Sequence, residues 1–396
     1  HRRKRYGERE GTTVNFSFTD EQLMLKDSVE GFLSENADSG IVRQAMASES
    51  GVDENLWQKI CAEMYWQAIL VPEECGGLGL GLVEAVIVLE QMGRFLTPVP
   101  LAAGIQSALA LRTLADQPQA HTLLAGLAEG RLLGLAHTAA RPSWGASGVG
   151  VIANSTVNGW SLSGEARFIA TGDLATELLV VAKIGSDLGL FRLAADQTGV
   201  ALSKMPTMDQ TRPMGVLQLH DVTVDPESCL SLDWAEQLEA VLDYSRIALG
   251  AEQVGCAQAS LDQSVAYVSE RVQFGRTIAS YQAIKHKAAD MMLKVESARS
   301  LLYYAACVGD EALTDAASSE DLQEAAAMLA SSAGDAAFFC AGTGIQLHGG
   351  VGITEEYDIQ LYFKRARSME AYLGRPDEQR EVLAAMLLDQ GGSHAA

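Results

Sequence analysis

A chain of 396 residues with 51 Asp and Glu against 29 Lys and Arg, a formal charge of −22, is too long for one compact core and too acidic to coat nucleic-acid phosphates. Its 48% hydrophobic content and 20% charge are those of a soluble globular chain, and no uninterrupted apolar run approaches the roughly 18 residues of a membrane span. The six cysteines, at 61, 75, 229, 256, 307 and 340, show neither Cys-x-x-Cys nor zinc spacing, so small buried thiols and a cytoplasmic address are expected.

His1 to Glu10 holds five Lys or Arg, and residues 1–15 read as a disordered basic tip outside the fold. Folding signals begin at Phe16: Thr19 with Gln22 three residues on forms a capping box, and Leu25, Val29 and Phe32 give a helical stripe. Helices are expected through Trp57 to Met64, Leu82 to Met92, Pro98 to Leu114 and His121 to Glu129, making 16–129 an N-terminal helical domain. Pro72 to Gly81 offers glycines but neither a preceding strand nor the spacing of a phosphate loop, so it reads as a turn. From Gly130 the period shortens. Gly148 to Val157, Asn158-Gly159 and Trp160 to Phe168 predict a hairpin with a type I′ turn. Leu178 to Ala182, Leu188 to Leu193 and Val216 to Leu219 follow as strands, so 130–228 is expected to be a β domain. After Pro226 the chain turns helical, a bundle over 229–388 with a tail at 389–396. Its two long patterns, Val254, Ala257, Leu261, Val265, Val268 and Ile284, Ala288, Met291, Val295, Ala298, Leu302, each require a partner for one apolar stripe. At the corner between them Gly275 is expected to end the first helix, with Arg271 and Arg276 at its negative end.

Five stretches taken together carry more than a fold. Pro72-Glu73-Glu74-Cys75-Gly76-Gly77-Leu78-Gly79, Arg271-x-x-Phe274-Gly275, Tyr281-Gln282-Ala283, Gln346-Leu347-His348-Gly349-Gly350-Val351-Gly352 and the run Thr354 to Arg367 resemble the acyl-CoA dehydrogenase family of flavoproteins, in its order and spacing, over roughly residues 16 to 385. The resemblance implies an α+β multidomain fold with an N-terminal α-helical domain, a middle β-barrel and a C-terminal four-helix bundle. It implies FAD, and a homo- or heterotetramer that removes two hydrogens from Cα and Cβ of an acyl-CoA thioester. That chemistry needs a carboxylate at Cα, hydrogen bonds to the thioester carbonyl and a flavin ring against Cβ.

Here this chain departs from the family. The usual base is the Glu of a Tyr-Glu-Gly-Thr motif, which reads Tyr372-Leu373-Gly374-Arg375, and leucine takes no proton at any pH. An alternative family position falls on Ser245, whose hydroxyl is no base for this step. Glu370, Asp243, Asp377 and Glu378 are the neighbouring acids; Glu370 reads as a surface charge, while Asp243 and Arg246 match residues that contact the CoA substrate in relatives. His348 reads as a helix-terminal packing residue, not a base.

The flavin motifs divide. In the family one subunit cradles the ring, and its neighbour supplies side chains to the pyrophosphate and adenosine. The donated set is intact in Arg271, Phe274, Gln282, Gln346, Gly349 and Gly350, where a guanidinium can fork onto phosphate and glycines admit close approach. The cradle is not: its place is taken by the stretch Leu135 to Trp144. The ring-packing segment Phe168-Ile169-Ala170-Thr171-Gly172 keeps its aromatic at Phe168 but loses a hydroxyl, and Arg375 and Asp377 replace a Thr and a Gln. The expectation is a base-lacking subunit of an α2β2 acyl-CoA dehydrogenase, with a sister subunit, an acyl-CoA and an electron-transfer flavoprotein as partners. Such pairs tend to take bulky CoA esters, steroid side chains among them. The alternatives are a self-sufficient homotetramer with an unrecognised base and a non-catalytic acyl-CoA-binding scaffold.

Overall fold

The computed structural model describes residues 18–139, 143–314 and 319–388; the basic tip, the tail and part of the polar stretch 314–321 lie outside them. The capping box forms as its spacing predicts: the Thr19 hydroxyl accepts from Gln22 N at 3.2 Å and Gln22 Oε1 from Thr19 N at 3.1 Å. It starts α1 (Asp20–Asn36). The N-terminal layer continues with α2 (Ser39–Ala47), α3 (Glu54–Lys59) running into a π turn at Ile60–Met64, α4 (Leu82–Phe95), α5 (Leu101–Arg112) and α6 (Pro118–Ala128).

Eight strands follow: β1 (Leu133–Ala136), β2 (Val151–Thr156), β3 (Gly159–Ile169), β4 (Glu177–Ile184), β5 (Asp187–Ala194), β6 (Val200–Met205), β7 (Met214–Val224) and β8 (Cys229–Ser231). They pair in the order β6-β7-β3-β2-β4-β5-β8, with β1 parallel to β4, and enclose their own core around Val151, Leu162, Val180, Phe191 and Leu217. The expected hairpin is present with its turn displaced by one residue. Thr156 pairs Gly159, so the two-residue loop is Val157-Asn158, and neither residue has the positive φ that a type I′ turn demands.

The bundle consists of α7 (Ala235–Glu270), α8 (Gln282–Thr314), α9 (Ser319–His348), α10 (Ile359–Ala371) and α11 (Pro376–Leu388). At 36 residues α7 spans about 54 Å at 1.5 Å per residue, and it packs against α9, α4, α8 and α5. Where α7 crosses α4 the backbones touch: a Cβ on Gly255 would lie 1.9 Å from the Glu90 carbonyl oxygen, and one on Gly93 2.2 Å from that of Glu252. Val254, Ala257, Leu261 and Val268 are buried as patterned, but Val265 is exposed while its neighbour Ser264 is buried, so the buried stripe runs through Ser264 and not Val265. By length and composition the stretch Ser319–Ile353, which contains α9, would suit a membrane even though it lacks an uninterrupted apolar run; 56% of its apolar window is buried inside the protein, as in the core helix of a bundle.

The corner after α7 differs from expectation. The helix stops at Glu270, and residues 272–277 form a miniature hairpin, β9 (Val272–Gln273) with β10 (Arg276–Thr277). Phe274 and Gly275, at φ +54° and +80°, make the two-residue turn. Gly275 is thus a hairpin residue and not a helix cap, and the positive-φ turn that the sequence suggested at residues 158–159 is found here instead.

Candidate active site and cofactor-facing surface

Leu373 follows the last turn of α10 in a left-handed conformation, φ +62°, with 1% of its surface exposed. Its carbonyl accepts from Arg246 Nε at 3.0 Å, and Arg246 Nη1 donates to Asp243 Oδ1 at 2.6 Å, so one buried ion pair on α7 holds the Leu373 backbone. Burial pushes the Asp243 carboxyl up to about 6 despite Arg246. Ser245 donates to the Val241 carbonyl within its own helix at 2.6 Å, so that hydroxyl is spent on the backbone. The other acids are engaged as well: Glu370 pairs with Arg367, Asp377 accepts from Arg375 at 3.0 Å, and Glu378 accepts from the Arg375 backbone N at 2.9 Å. Arg367, Glu370, Arg375, Asp377, Arg380 and Asp335 thus rim a pocket of about 420 Å³ whose charges neutralise one another.

Tyr372, the residue before Leu373, belongs to an aromatic box. Trp144 lies 5.3 Å edge-on from Tyr372 and 5.5 Å from Phe168, with His137 6.2 Å away. His137 is 2% exposed, and neither of its ring nitrogens has a hydrogen-bond partner. Gln106 hydrogen-bonds the Tyr372 phenol, which is buried and whose pKa burial raises.

Burial, with Arg246 adding to it, lowers the His137 imidazole to about 4. The unfolded chain takes up this proton near 6.5 and the folded chain only near 4, so acidification across that window favours unfolding. At about 1.4 kcal/mol per pKa unit, on the order of 3 kcal/mol is lost by pH 4. Asp243 acts oppositely: raised in the fold, it takes up its proton first on folding, so stability returns as pH falls through about 6. Comparing His137→Leu with wild type by urea unfolding at each pH cancels the Asp243 share. The variant should gain about 3 kcal/mol on wild type between pH 7 and pH 4; a gap that does not vary with pH would mean that the imidazole titrates freely in the fold.

The second surface faces outward. Phe274 stands 93% exposed at the tip of its hairpin, and Arg271, Gln282, Gln346, Gly349 and Gly350 are exposed around it. The hairpin and the glycine turn are held together by ring packing: Tyr267 on α7 stacks on His348 at 4.3 Å, and Tyr357 closes edge-on at 5.7 Å from His348. This is the packing role expected of His348, whose Nδ1 lies 2.7 Å from the Gly344 carbonyl. A Cβ on Gly349 or Gly350 would meet nothing within 4 Å, so this turn opens into free space. Gln282 is oriented by His286 one turn on, 3.0 Å away. Val265, Val272, Met292, Leu293 and Ile353 are exposed apolar side chains of the same helices and turns.

Two features had no counterpart among the sequence-derived candidates. One is the box of His137, Trp144, Tyr372 and Gln106 around Phe168. The other is a buried network in which Arg365 Nε donates to Asp209 Oδ2 at 2.8 Å and Arg365 Nη2 to the Thr211 carbonyl at 3.0 Å, while Arg212 pairs with Glu252.

Residues 19–131 match the family description "Acyl-CoA dehydrogenase, N-terminal domain" and residues 234–388 "Acyl-CoA dehydrogenase, C-terminal domain". The chain is 34% identical over 367 residues to "Acyl-CoA dehydrogenase IpdE2" of Mycolicibacterium smegmatis, covering 93% of this chain and 99% of that one. Among solved structures it superposes with a TM-score of 0.81 and 28% identity on a variant of the "Tcur3481-Tcur3483 steroid ACAD", covering 94% of this chain and 99% of that chain. The ChsE4-ChsE5 complex from Mycobacterium tuberculosis shares the fold, with a TM-score of 0.84 at 24% identity over 95% and 99% of the two chains.

Proposed function

We propose, from the premise that this chain belongs to the acyl-CoA dehydrogenase family, that it is the base-lacking member of a two-chain enzyme, an α2β2 assembly that dehydrogenates a bulky acyl-CoA at Cα and Cβ. One contrast carries the reading: the outward set of Arg271, Phe274, Gln346 and the Gly349-Gly350 turn is exposed, whereas inside the chain Trp144 packs between Phe168 and Tyr372 and Leu373 is buried.

FAD is the cofactor of this family, and when bound it supplies the two-electron acceptor. The outward set suits its phosphates and adenosine in a neighbouring chain, with Arg271 as the forked donor and the glycine turn allowing close approach. The inward pocket does not suit it. An indole lies in the box, and the Arg375-Asp377 pair brings a carboxylate to the segment that the family turns towards the flavin. Arg246, committed to Asp243 and to the Leu373 carbonyl, is likewise turned away from a thioester in this chain. Exposed apolar side chains at Val272, Phe274, Met292, Leu293 and Ile353 are of the kind that a subunit covers. The steroid enzyme among the structural relatives, described by a pair of chains, supports the two-chain arrangement and a large ring-bearing acyl group. An electron-transfer flavoprotein as acceptor and a cytoplasmic address belong to the same proposal; six free cysteines accord with the latter.

Flavin stoichiometry tests it. Co-purified with its sister chain, the protein should carry about one FAD per two chains and turn over acyl-CoA, while this chain alone should be colourless. A yellow, active homo-oligomer with one flavin per chain would refute it. Asp243, buried beside Leu373 and raised to about 6, favours a second reading in which the chain supplies its own base. In that case the lone chain turns over substrate and Asp243→Asn abolishes the activity.

A further inference from the structure

We infer that Trp144 is a built-in occupant of this chain's own flavin-ring slot, an internal side chain that takes the position of the ring and thereby excludes it. The inference rests on the reading of this chain as the member without flavin, and it names the residue responsible.

Three observations converge on it. The walls of the box come from the two segments that the family lays along the ring: Phe168, 5.5 Å from the indole, heads the ring-packing segment, and Tyr372, 5.3 Å away, stands in the motif that would carry the base. An indole edge-on to one ring and tilted on the other, with only 9% of its surface exposed, fills the box as a packed core residue. The residues flanking it are also tied in place. Thr138 Oγ1 donates to the Ser143 carbonyl at 3.1 Å, Ala139 N donates to the Gly148 carbonyl at 2.9 Å, and Ala146 N reaches Glu239 Oε1 of α7 at 3.4 Å.

The third observation is what the indole leaves unsatisfied. Both nitrogens of His137, whose ring lies 6.2 Å from the indole, are buried without partners at the margin of the box. Unpaired buried polar groups are uncommon, each costing about 1–3 kcal/mol. Trp144 fills the space between the aromatic walls without meeting the polar margin. A planar heteroaromatic ring with donors and acceptors along its rim would meet the imidazole, so that is the ligand class the slot takes once the indole is removed.

The test uses the full-length chain with Trp144→Ala, and Trp144→Leu as the milder variant should the alanine form not fold; circular dichroism establishes which is used. The probes are lumiflavin, which carries the ring without the phosphates, and indole, which replaces only the deleted side chain. Wild type should bind neither. The variant should bind lumiflavin at about one per chain and at least about tenfold more tightly than wild type, a gap equivalent to 1.4 kcal/mol, with flavin fluorescence quenched by the neighbouring aromatics. Trp144→Phe should behave as wild type. A folded variant that binds indole but not lumiflavin would make Trp144 an ordinary core residue and overturn the inference, as would a variant that binds neither. Wild-type chain purified alone with one FAD per chain is a different failure: it removes the underlying reading, and with it any need for an internal occupant.

Discussion

Replacing Arg271 by alanine should strip flavin from the assembled enzyme while leaving this chain folded. Arg271 lies at the end of α7 in an extended conformation, its backbone N held by the Tyr267 carbonyl at 2.9 Å and its side chain exposed beside Phe274. A side chain so placed does nothing for its own core, so circular dichroism and the urea midpoint should not move. A charge-assisted bond to a phosphate is worth about 1.5–3 kcal/mol, which corresponds to FAD binding weaker by about 10- to 100-fold. The fraction of flavin surviving gel filtration should fall accordingly, and turnover should return on adding excess FAD. Arg271→Lys should recover only part of the affinity, because a point charge cannot fork across two phosphate oxygens. Because the flavin in question would sit in the partner chain, loss of colour from a mutation in this chain is a direct measure of donation. Unchanged flavin content would remove Arg271 from the site.

The order of helices, strands and helices was legible because it rests on periodicity. The capping box of Thr19 and Gln22 and the stripe Met291, Val295, Ala298 and Leu302 needed only local spacing, and all of them form or are buried as patterned. Short elements without a period were not legible. The helix Ser39–Ala47 is nine residues long and starts from the Asp38 cap, and the strand Val200–Met205 lies at the sheet edge with an exposed face. Asn158-Gly159 is a strong turn signal in isolation, yet the register of β2 on β3 closes at Thr156 and Gly159, and the pairing overrides the dipeptide. The outward candidates were visible in the sequence as two short motifs of Arg, Phe and Gly, and the structure leaves them exposed. The inward packing was not visible there: Gln106, the stretch 135–144, Phe168 and Tyr372 come from four separate places in the chain and acquire meaning only as a box. Sequence reading placed an aliphatic side chain at Leu373 but gave no signal for the indole packed between Phe168 and Tyr372.

The largest expected loss of stability comes from Asp209→Ala. Arg365 is 2% exposed and Asp209 1%, and the guanidinium reaches both the carboxylate and Thr211. Thr211 N in turn donates to Asp209 Oδ1 at 3.0 Å, and the next residue, Arg212, pairs with Glu252 of α7. The loop between β6 and β7 is thereby clamped to α10 and α7, the helices that carry Leu373 and Arg246. Removing the carboxylate leaves a buried cation with neutral partners, for which about 3–5 kcal/mol is the usual loss. Asp209→Ala combined with Arg365→Met should recover much of this, since replacing both members of a buried pair with apolar groups is often close to neutral. Urea unfolding of the two variants separates the loss of a pair from the stranding of a charge. Because Tyr372 directly follows α10, the single variant should also loosen the packing of Trp144, seen as a change in its fluorescence before global unfolding. A loss under about 1 kcal/mol, with the Trp144 signal unmoved, would mean that water reaches Arg365 readily and that the sheet and the bundle are held together by apolar contacts alone.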